Sequence, residues 1–216
     1  MKKFQFTFTG FMPLLMHADD IDGADMLEAW RKDPANKGMS KPGDDRTPPW
    51  TWHTYLYRHD GYIAIPGENI MVALRQAGAQ MIMKGQKSFK EATQSGLLIT
   101  EPACEFRNNG QRIKLADIDA MHDKTYVEQK AICEKLGFEL FAKRGRIGTK
   151  KHIRVRPKFH KWSVSGEIMV LKPEITNEIL QHLFVLAGKA GLGDWRPSSK
   201  TPGCHGQADA VVREIA

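Results

Sequence analysis

The sequence predicts an α+β fold, and three observations carry this prediction. First, apolar and polar residues alternate in four segments, at 3–9, 152–159, 162–170 and 208–213, as in strands with one buried face. Second, apolar residues recur every three or four positions at 67–81 and 176–187, as in amphipathic helices. Third, these segments follow one another as strand, helix, strand, strand, helix, strand. That order is the ferredoxin-like (RRM-like) βαββαβ core with an antiparallel sheet.

The predicted elements each have a local signal. The first strand places three phenylalanines on its core face, Phe4, Phe6 and Phe8. The alternating segments 152–159 and 162–170 are separated by only a short turn, so we expect them to form a hairpin. The second helix is expected to begin at a cap formed by Thr176 or Asn177.

Two irregular stretches interrupt this pattern, at about 11–61 and 84–142. They are longer than ordinary connections, so we interpret them as insertions in a single domain spanning residues 1–216. The first contains an aromatic cluster, Trp50, Trp52, Tyr55 and Tyr57. Such side chains stack nucleic-acid bases or, more commonly, pack in a core or against another subunit.

Composition excludes several classes of protein. No apolar run approaches the roughly 18 residues that a membrane span needs, so we expect no membrane contact and a cytoplasmic protein. The three cysteines lack CxxC spacing, which indicates a reducing compartment and no zinc finger. The sequence contains no P-loop, nucleophile elbow or dinucleotide fingerprint. No cofactor and no metal are predicted.

The positive charge is concentrated in one part of the chain. The formal net charge is +7, yet nine Lys and Arg residues and no Asp or Glu lie between 143 and 161. Such a patch favours a polyanionic partner over a merely solvated face, which usually carries both signs. Period 2 places the alternate basic residues of the strand on one face. The predicted phosphate contacts are Lys143, Arg144, Arg146, Lys150, Lys151, Arg154, Arg156 and Lys158.

A glycine-rich loop precedes the last strand. Residues 188–206 contain five glycines and two prolines, and glycines allow backbone N–H groups to approach an anion. The alternative is that the glycines serve tight turns and that the tryptophan packs against the fold. The predicted ligand-facing residues are Gly191, Gly193, Trp195, Arg196, Lys200 and His205.

One acidic group is the enzymatic candidate. Asp19, Asp20, Asp22 and the nearby His17 follow the first strand and could hold a divalent ion or move a proton. Their spacing matches no fixed metal motif, and the beginning of a helix explains aspartates equally well.

Two stretches together resemble the RAMP superfamily, the ferredoxin-fold proteins of CRISPR effector complexes. The first is Tyr62-Ile-Ala-Ile-Pro-Gly-Glu-Asn-Ile-Met-Val-Ala-Leu-Arg75, and the second is Gly191-Leu-Gly-Asp-Trp-Arg-Pro-Ser-Ser-Lys-Thr-Pro-Gly-Cys-His-Gly206. The chain is most similar to the backbone-subunit branch, and the second stretch also resembles short phage and prophage proteins of the same fold. The resemblance implies a nucleic-acid role for Arg75, a ribonucleoprotein for antiviral defence, a homo-oligomeric filament along guide RNA, and contact with other effector subunits.

The sequence therefore predicts a protein that binds single-stranded nucleic acid, RNA above all, through phosphate contacts that are independent of base sequence. Two alternatives stay open at this point. One is a RAMP-type endoribonuclease, and the other is a phage-type protein that binds or anneals single-stranded DNA.

Overall fold

The first strand is an interior strand of the larger sheet. The computed structural model shows this strand, β1, at Lys2–Gly10, with Phe4, Phe6 and Phe8 buried as the alternation predicts. The ring centroids of Phe6 and Phe184 lie 5.0 Å apart. Antiparallel neighbours flank β1 on both sides, namely β9 (Trp162–Val170) and β10 (Ala208–Ile215).

The structure describes residues 1–39, 43–82, 88–147 and 150–215. Within them the chain is a mixed α+β protein with an antiparallel sheet and six α-helices. The helices are α1 (Ile21–Lys32), α2 (Gly67–Gln80), α3 (Lys90–Gly96), α4 (Leu115–Asp119), α5 (Tyr126–Lys135) and α6 (Asn177–Ala190). The other strands are β2 (Leu14–Leu15), β3 (Arg58–His59), β4 (Tyr62–Pro66), β5 (Leu97–Ile99), β6 (Ala103–Asn108), β7 (Glu139–Ile147) and β8 (Lys150–Phe159). None of the helices in these described ranges is long and apolar enough to cross a membrane.

The chain divides into two compact units. Unit 1 consists of Met1–Leu14, Ile63–Arg112 and His160–Ala216, and unit 2 consists of Leu15–Tyr62 and Ile113–Phe159. The parts predicted as two insertions of one domain thus contribute mainly to one second unit. The boundaries differ at the second insertion, because α3, β5 and β6 belong to unit 1 and β8 belongs to unit 2.

Unit 1 contains the larger sheet and both predicted amphipathic helices. Its strands follow the order β10-β1-β9-β6-β4, and β5 also pairs with β9. Helices α2 and α6 pack against each other. The side chain of Thr176 accepts a hydrogen bond from the Ile179 N–H at 3.3 Å, which confirms the predicted cap of α6.

Unit 2 contains the antiparallel pair β7–β8. On the other side of β8, the Met16 N–H donates to the Pro157 carbonyl at 3.1 Å. Residues 43–45 continue along that side, since the Ile153 N–H donates to the Gly43 carbonyl and the Asp45 N–H donates to the Ile153 carbonyl. Strand β8 is therefore held from both sides.

The predicted hairpin between 152–159 and 162–170 is wrong. Strand β8 pairs with β7 over its whole length, whereas β9 pairs with β1, β5 and β6. The partner β7 carries no alternating signal, because Ala142 to Arg146 are all exposed. Period 2 detects a strand only where one face is buried, so the sequence could not reveal this pairing.

Candidate nucleic-acid interface

The β7–β8 hairpin carries most of the predicted basic patch. We call residues 143–147 and 150–154 the ribbon tip, and residues 139–142 and 155–158 the ribbon base. The side chains of Lys143, Arg144, Arg146 and Lys151 are exposed, and Arg154 is partly exposed. The side chain of Lys150 lies outside the described part of the structure. These cations lie together on one hairpin, in which β7 is the partner strand of β8.

The register brings like charges opposite each other in the tip. Lys143 pairs with Arg154, and Arg146 pairs with Lys151. Residues paired across antiparallel strands share a face, and successive residues alternate between faces. The first pair therefore lies on one face of the ribbon and the second pair lies on the other. Both faces of the tip are basic.

The ribbon base differs, because its cations are neutralised. Arg156 is only 4% exposed and lies 3.4 Å from the carboxylate of Asp45, which is itself buried. Its guanidinium also lies 4.1 Å from the ring centroid of Tyr55. A buried guanidinium with these partners cannot reach a phosphate group, so Arg156 is a structural residue and its predicted ligand contact is wrong.

Asp45 is the centre of a buried hydrogen-bond network. It accepts from Tyr55 Oη at 3.1 Å, from the Val155 N–H at 3.2 Å and from Arg154 Nη1 at 3.2 Å. Burial raises the pKa of Tyr55, and the charge of Asp45 adds to this shift. The phenol therefore stays protonated and donates. The network fixes the loop from the first insertion onto β8.

Lys158 is paired within the ribbon base. Its Nζ lies 2.8 Å from Glu139 Oε1 and 4.8 Å from the ring centroid of Phe141. Because the side chain is only 16% exposed, this lysine stabilises the ribbon base and presents little of its charge at the surface. The predicted basic face of β8 thus divides into a neutralised inner half and an exposed outer half.

The rest of unit 2 has the opposite charge. Unit 2 holds 18 Lys and Arg residues and 15 Asp and Glu residues, and eight of the 18 lie between 143 and 158, where no acidic residue occurs. The remainder of the unit therefore carries ten basic and 15 acidic residues. The ribbon is therefore a local concentration of positive charge in a unit whose other residues are net acidic.

The two tryptophans of the aromatic cluster belong to the core of unit 2. Trp52 is fully buried and donates from Nε1 to Gln129 Oε1 at 2.6 Å. Trp50 is 8% exposed and stacks on His122 with 5.3 Å between centroids. The packing alternative is confirmed for these two tryptophans, and base stacking on them would require unfolding.

The same core holds a neutral histidine. Burial lowers the pKa of His53 to about 4, and the nearby charges of Arg58 and His122 act in the same direction. Its ring contacts the ring of Trp52 at 4.2 Å between centroids. Sequence reasoning did not identify this histidine, because a histidine between tryptophan and threonine has no characteristic spacing.

The glycine loop folds onto itself in unit 1. A Cβ at Gly203 would collide with the Trp195 carbonyl oxygen, and one at Gly206 would collide with the Leu192 carbonyl oxygen. Arg196 donates to the Gly193 carbonyl at 2.7 Å and to Ser198 Oγ at 2.9 Å. The tight-turn alternative thus accounts for these glycines and for the orientation of the arginine.

The other predicted loop residues fall into three groups. Gly191 ends α6 with a φ of 86°, and Gly193 has a φ of 74°, backbone conformations that favour glycine. Trp195 and His205 are half-buried, with 6.4 Å between their ring centroids. Lys200 is exposed. It is the loop cation best placed to meet an external anion.

Arg75 lies on α2, at an open cleft of unit 1 with a volume of about 1010 Å³. The side chain is exposed, and Glu68 and Glu101 line the same cleft. Burial raises the pKa of Glu101, and the charge of Glu167 adds to this. A cleft with two carboxylates and one guanidinium is less suited to a polyanion than the ribbon tip.

The acidic group forms the beginning of α1. Asp20 is the N-cap, and its Oδ1 accepts from the Gly23 N–H at 3.0 Å, while Asp22 lies in the first turn. Asp19 is exposed. His17 Nε2 lies 3.4 Å from Arg156 Nη2, and its ring meets that of Tyr55 edge-on. The helix-start explanation therefore accounts for Asp20 and Asp22.

No cluster of three or more His, Cys, Asp or Glu residues that could hold a metal ion occurs in the described ranges. The outer face of the larger sheet carries mixed polar side chains, with Gln5 opposite Arg213 and Glu167, and Thr7 opposite Val211 and Ser165. It lacks the concentration of positive charge found on the ribbon.

Comparison of the sequence with protein-family models found no match, and comparison with curated proteins found none. The geometry of the ribbon and the loop is therefore the basis for any functional conclusion.

Proposed function

We propose that this protein binds the phosphate backbone of single-stranded nucleic acid, RNA in the first place, through the tip of the β7–β8 ribbon. The contacts are independent of base sequence, and their residues are Lys143, Arg144, Arg146, Lys150, Lys151 and Arg154. Lys200 of unit 1 is a further candidate contact.

One observation carries this proposal. The register places Arg146 opposite Lys151, and both side chains are exposed, although like charges directly opposite each other destabilise a sheet. In the base of the same ribbon no cations face each other, because Lys158 lies opposite Glu139 and Arg156 lies opposite Phe141. A polyanion bound at the tip would offset the repulsion and would release its own counterions.

The strand order of unit 1 supports a ferredoxin-like core within this proposal. The βαββαβ series would consist of β1, α2, β5, β9, α6 and β10. Its four strands lie side by side in the order β10-β1-β9-β5, and each adjacent pair is antiparallel. Numbered within the series, this is the order 4-1-3-2. This series keeps the predicted first and last strands and both helices. It replaces the predicted second strand by β5.

By its resemblance to the RAMP superfamily, we further propose that copies of the chain multimerise head-to-tail along a guide RNA in a CRISPR-type ribonucleoprotein. A heterologous contact that does not close gives a helical array of subunits. The number of bound copies should then rise in steps as the RNA is lengthened, as measured by native mass spectrometry. One copy on every length of RNA would contradict the filament.

Binding is tested with labelled oligouridine RNA in fluorescence anisotropy over a series of salt concentrations. The triple variant Arg144→Ala, Arg146→Ala, Lys151→Ala should lower the slope of log K against log salt by about 2, at roughly 0.7 per lost phosphate contact. The matched control is Lys124→Ala, Lys130→Ala, Lys135→Ala, which removes the same charge from exposed positions of unit 2.

Comparing the two variants distinguishes the loss of specific ribbon contacts from a general loss of positive charge. Equal slopes for the ribbon variant and the control would contradict the ribbon site. The same titration with single-stranded DNA of equal length tests the preference for RNA, and equal affinity would instead favour the phage-type DNA-binding alternative.

A further inference from the structure

Strand β10 forms an edge of the larger sheet. It pairs with β1 along one side, and among the described residues no other strand pairs with it. In an antiparallel strand, alternate residues direct both their N–H and C=O groups to the same side. Ala210 and Val212 direct their N–H and C=O groups away from β1, because both residues bond to Gln181 of α6. Edges of this kind are templates for pairing with another chain.

A side chain from α6 occupies this edge. Gln181 Nε2 donates to the Ala210 carbonyl at 2.8 Å, and Gln181 Oε1 accepts from the Val212 N–H at 2.9 Å. The primary amide thus supplies one donor and one acceptor, as a peptide group of a neighbouring strand would. One turn earlier on α6, Asn177 Nδ2 donates to Glu214 Oε2 at 3.0 Å.

We infer that Gln181 closes the β10 edge against strand addition, and that the strand this edge fits is β10 of a second copy. The proposal does not depend on nucleic-acid binding. It concerns a surface of unit 1 alone, since α6 and β10 both belong to that unit.

Charge and register select the second copy as the partner. We place Val211 of one copy opposite Val211 of the second copy in an antiparallel pair. Two-fold symmetry then brings Asp209 of each copy opposite Arg213 of the other copy. All three residues are exposed, and Val211 is 50% exposed. Ala210 then faces Val212 of the second copy as a hydrogen-bonded pair. The backbone groups needed for this pair include the two that Gln181 now occupies.

A closed edge has a consequence for assembly. Two-fold pairing of β10 would use the same patch on both copies and would end at a dimer. With the edge occupied by Gln181, the chain avoids this dimer, and other surfaces remain available for assembly.

The test uses Gln181→Ala in the full chain, with His182→Ala as control because His182 is an exposed neighbour on the same helix. Sedimentation equilibrium should give the same mass for the parent and the control, and twice that mass for Gln181→Ala. An unchanged mass for a folded Gln181→Ala protein would overturn the proposal. Gln181→Glu, which keeps the acceptor for Val212 and loses the donor to Ala210, should dimerise less than Gln181→Ala and more than the parent.

A disulfide trap identifies the surface. Val211→Cys is introduced with Cys204→Ser, because Cys204 is the exposed native cysteine of the described residues. Opposed residues of a non-hydrogen-bonded pair have Cα atoms about 4.5 Å apart, which suits a disulfide. The cross-link should form readily only when Gln181→Ala is also present. Equal cross-linking with Gln181 intact would show that the glutamine does not close the edge.

Charge exchange tests the register. Adding Asp209→Arg to Gln181→Ala places arginines opposite each other and should abolish the dimer. Adding Arg213→Asp as well restores opposite charges and should restore the dimer. A dimer of equal strength in all three variants would overturn the register and the choice of partner.

Discussion

The tip and the base of the β7–β8 ribbon place the same cationic residue types in very different surroundings. Both contain arginine, but Arg156 in the base is buried against Asp45 and Tyr55, whereas Arg146 in the tip is exposed and faces Lys151. The same residue type is structural in one half and available to a ligand in the other. Charge counted along the sequence therefore overstates the exposed positive surface, and the partners of each cation decide its role.

The largest expected change in stability comes from replacing an arginine of the base, compared with replacing an arginine of the tip. Arg156→Ala leaves the Asp45 carboxylate buried with fewer partners, and breaking a buried pair from one side costs about 3–5 kcal/mol. Arg146→Ala should change the free energy of unfolding by less than about 0.5 kcal/mol. Urea denaturation of both variants measures this. Similar losses in the two variants would contradict the division into tip and base.

The unit that carries the ribbon should lose stability in acid. The pKa of His53 is lowered to about 4 when folded, against about 6.5 when unfolded. Below pH 6.5 the unfolded state therefore binds a proton that the folded state excludes until pH 4. The stability is complete above pH 6.5 and falls between pH 6.5 and 4, by at most about 3 kcal/mol.

Urea denaturation at several pH values compares the parent with His53→Gln, which cannot titrate. The variant should show a smaller loss between pH 6.5 and 4.5, and hydrogen exchange should locate the difference in unit 2. Parallel pH profiles for the two proteins would contradict the buried neutral histidine.

The sequence predicted the parts of the molecule in which burial is periodic. The alternation in 3–9 identified β1, and the apolar stripes identified α2 and α6, because one face of each is buried. The sequence also located the cations of the ribbon tip. It missed β7, whose outer half is exposed on both faces, and it missed Asp45, which meets Arg156 across 111 residues of chain. Pairing over such a distance leaves no local pattern.

A smaller effect is expected for the second cation of the base. Lys158→Met keeps most of the side-chain volume but removes the ammonium that contacts Glu139 and Phe141. Partly exposed ion pairs and cation–π contacts contribute about 0.5–1 kcal/mol each, so the loss should lie near 1 kcal/mol. Lys151→Met in the tip is the control and should cost nothing. A loss confined to Lys151→Met would reverse the assignment of base and tip.

The smallest expected change in stability would be a gain. Lys151→Glu places a carboxylate opposite Arg146, and an opposite-charge pair across strands stabilises by about 0.2–1 kcal/mol where the parent has repulsion. The same change should weaken RNA binding and lower its salt slope, because it removes one phosphate contact and introduces a negative charge. Stability and affinity would then move in opposite directions at one position, as expected when a surface retains a destabilising arrangement for its ligand. Urea denaturation and the anisotropy titration measure the two quantities on the same protein. If Lys151→Glu lowered the stability, or left the affinity unchanged, the like charges of the tip would need a different explanation.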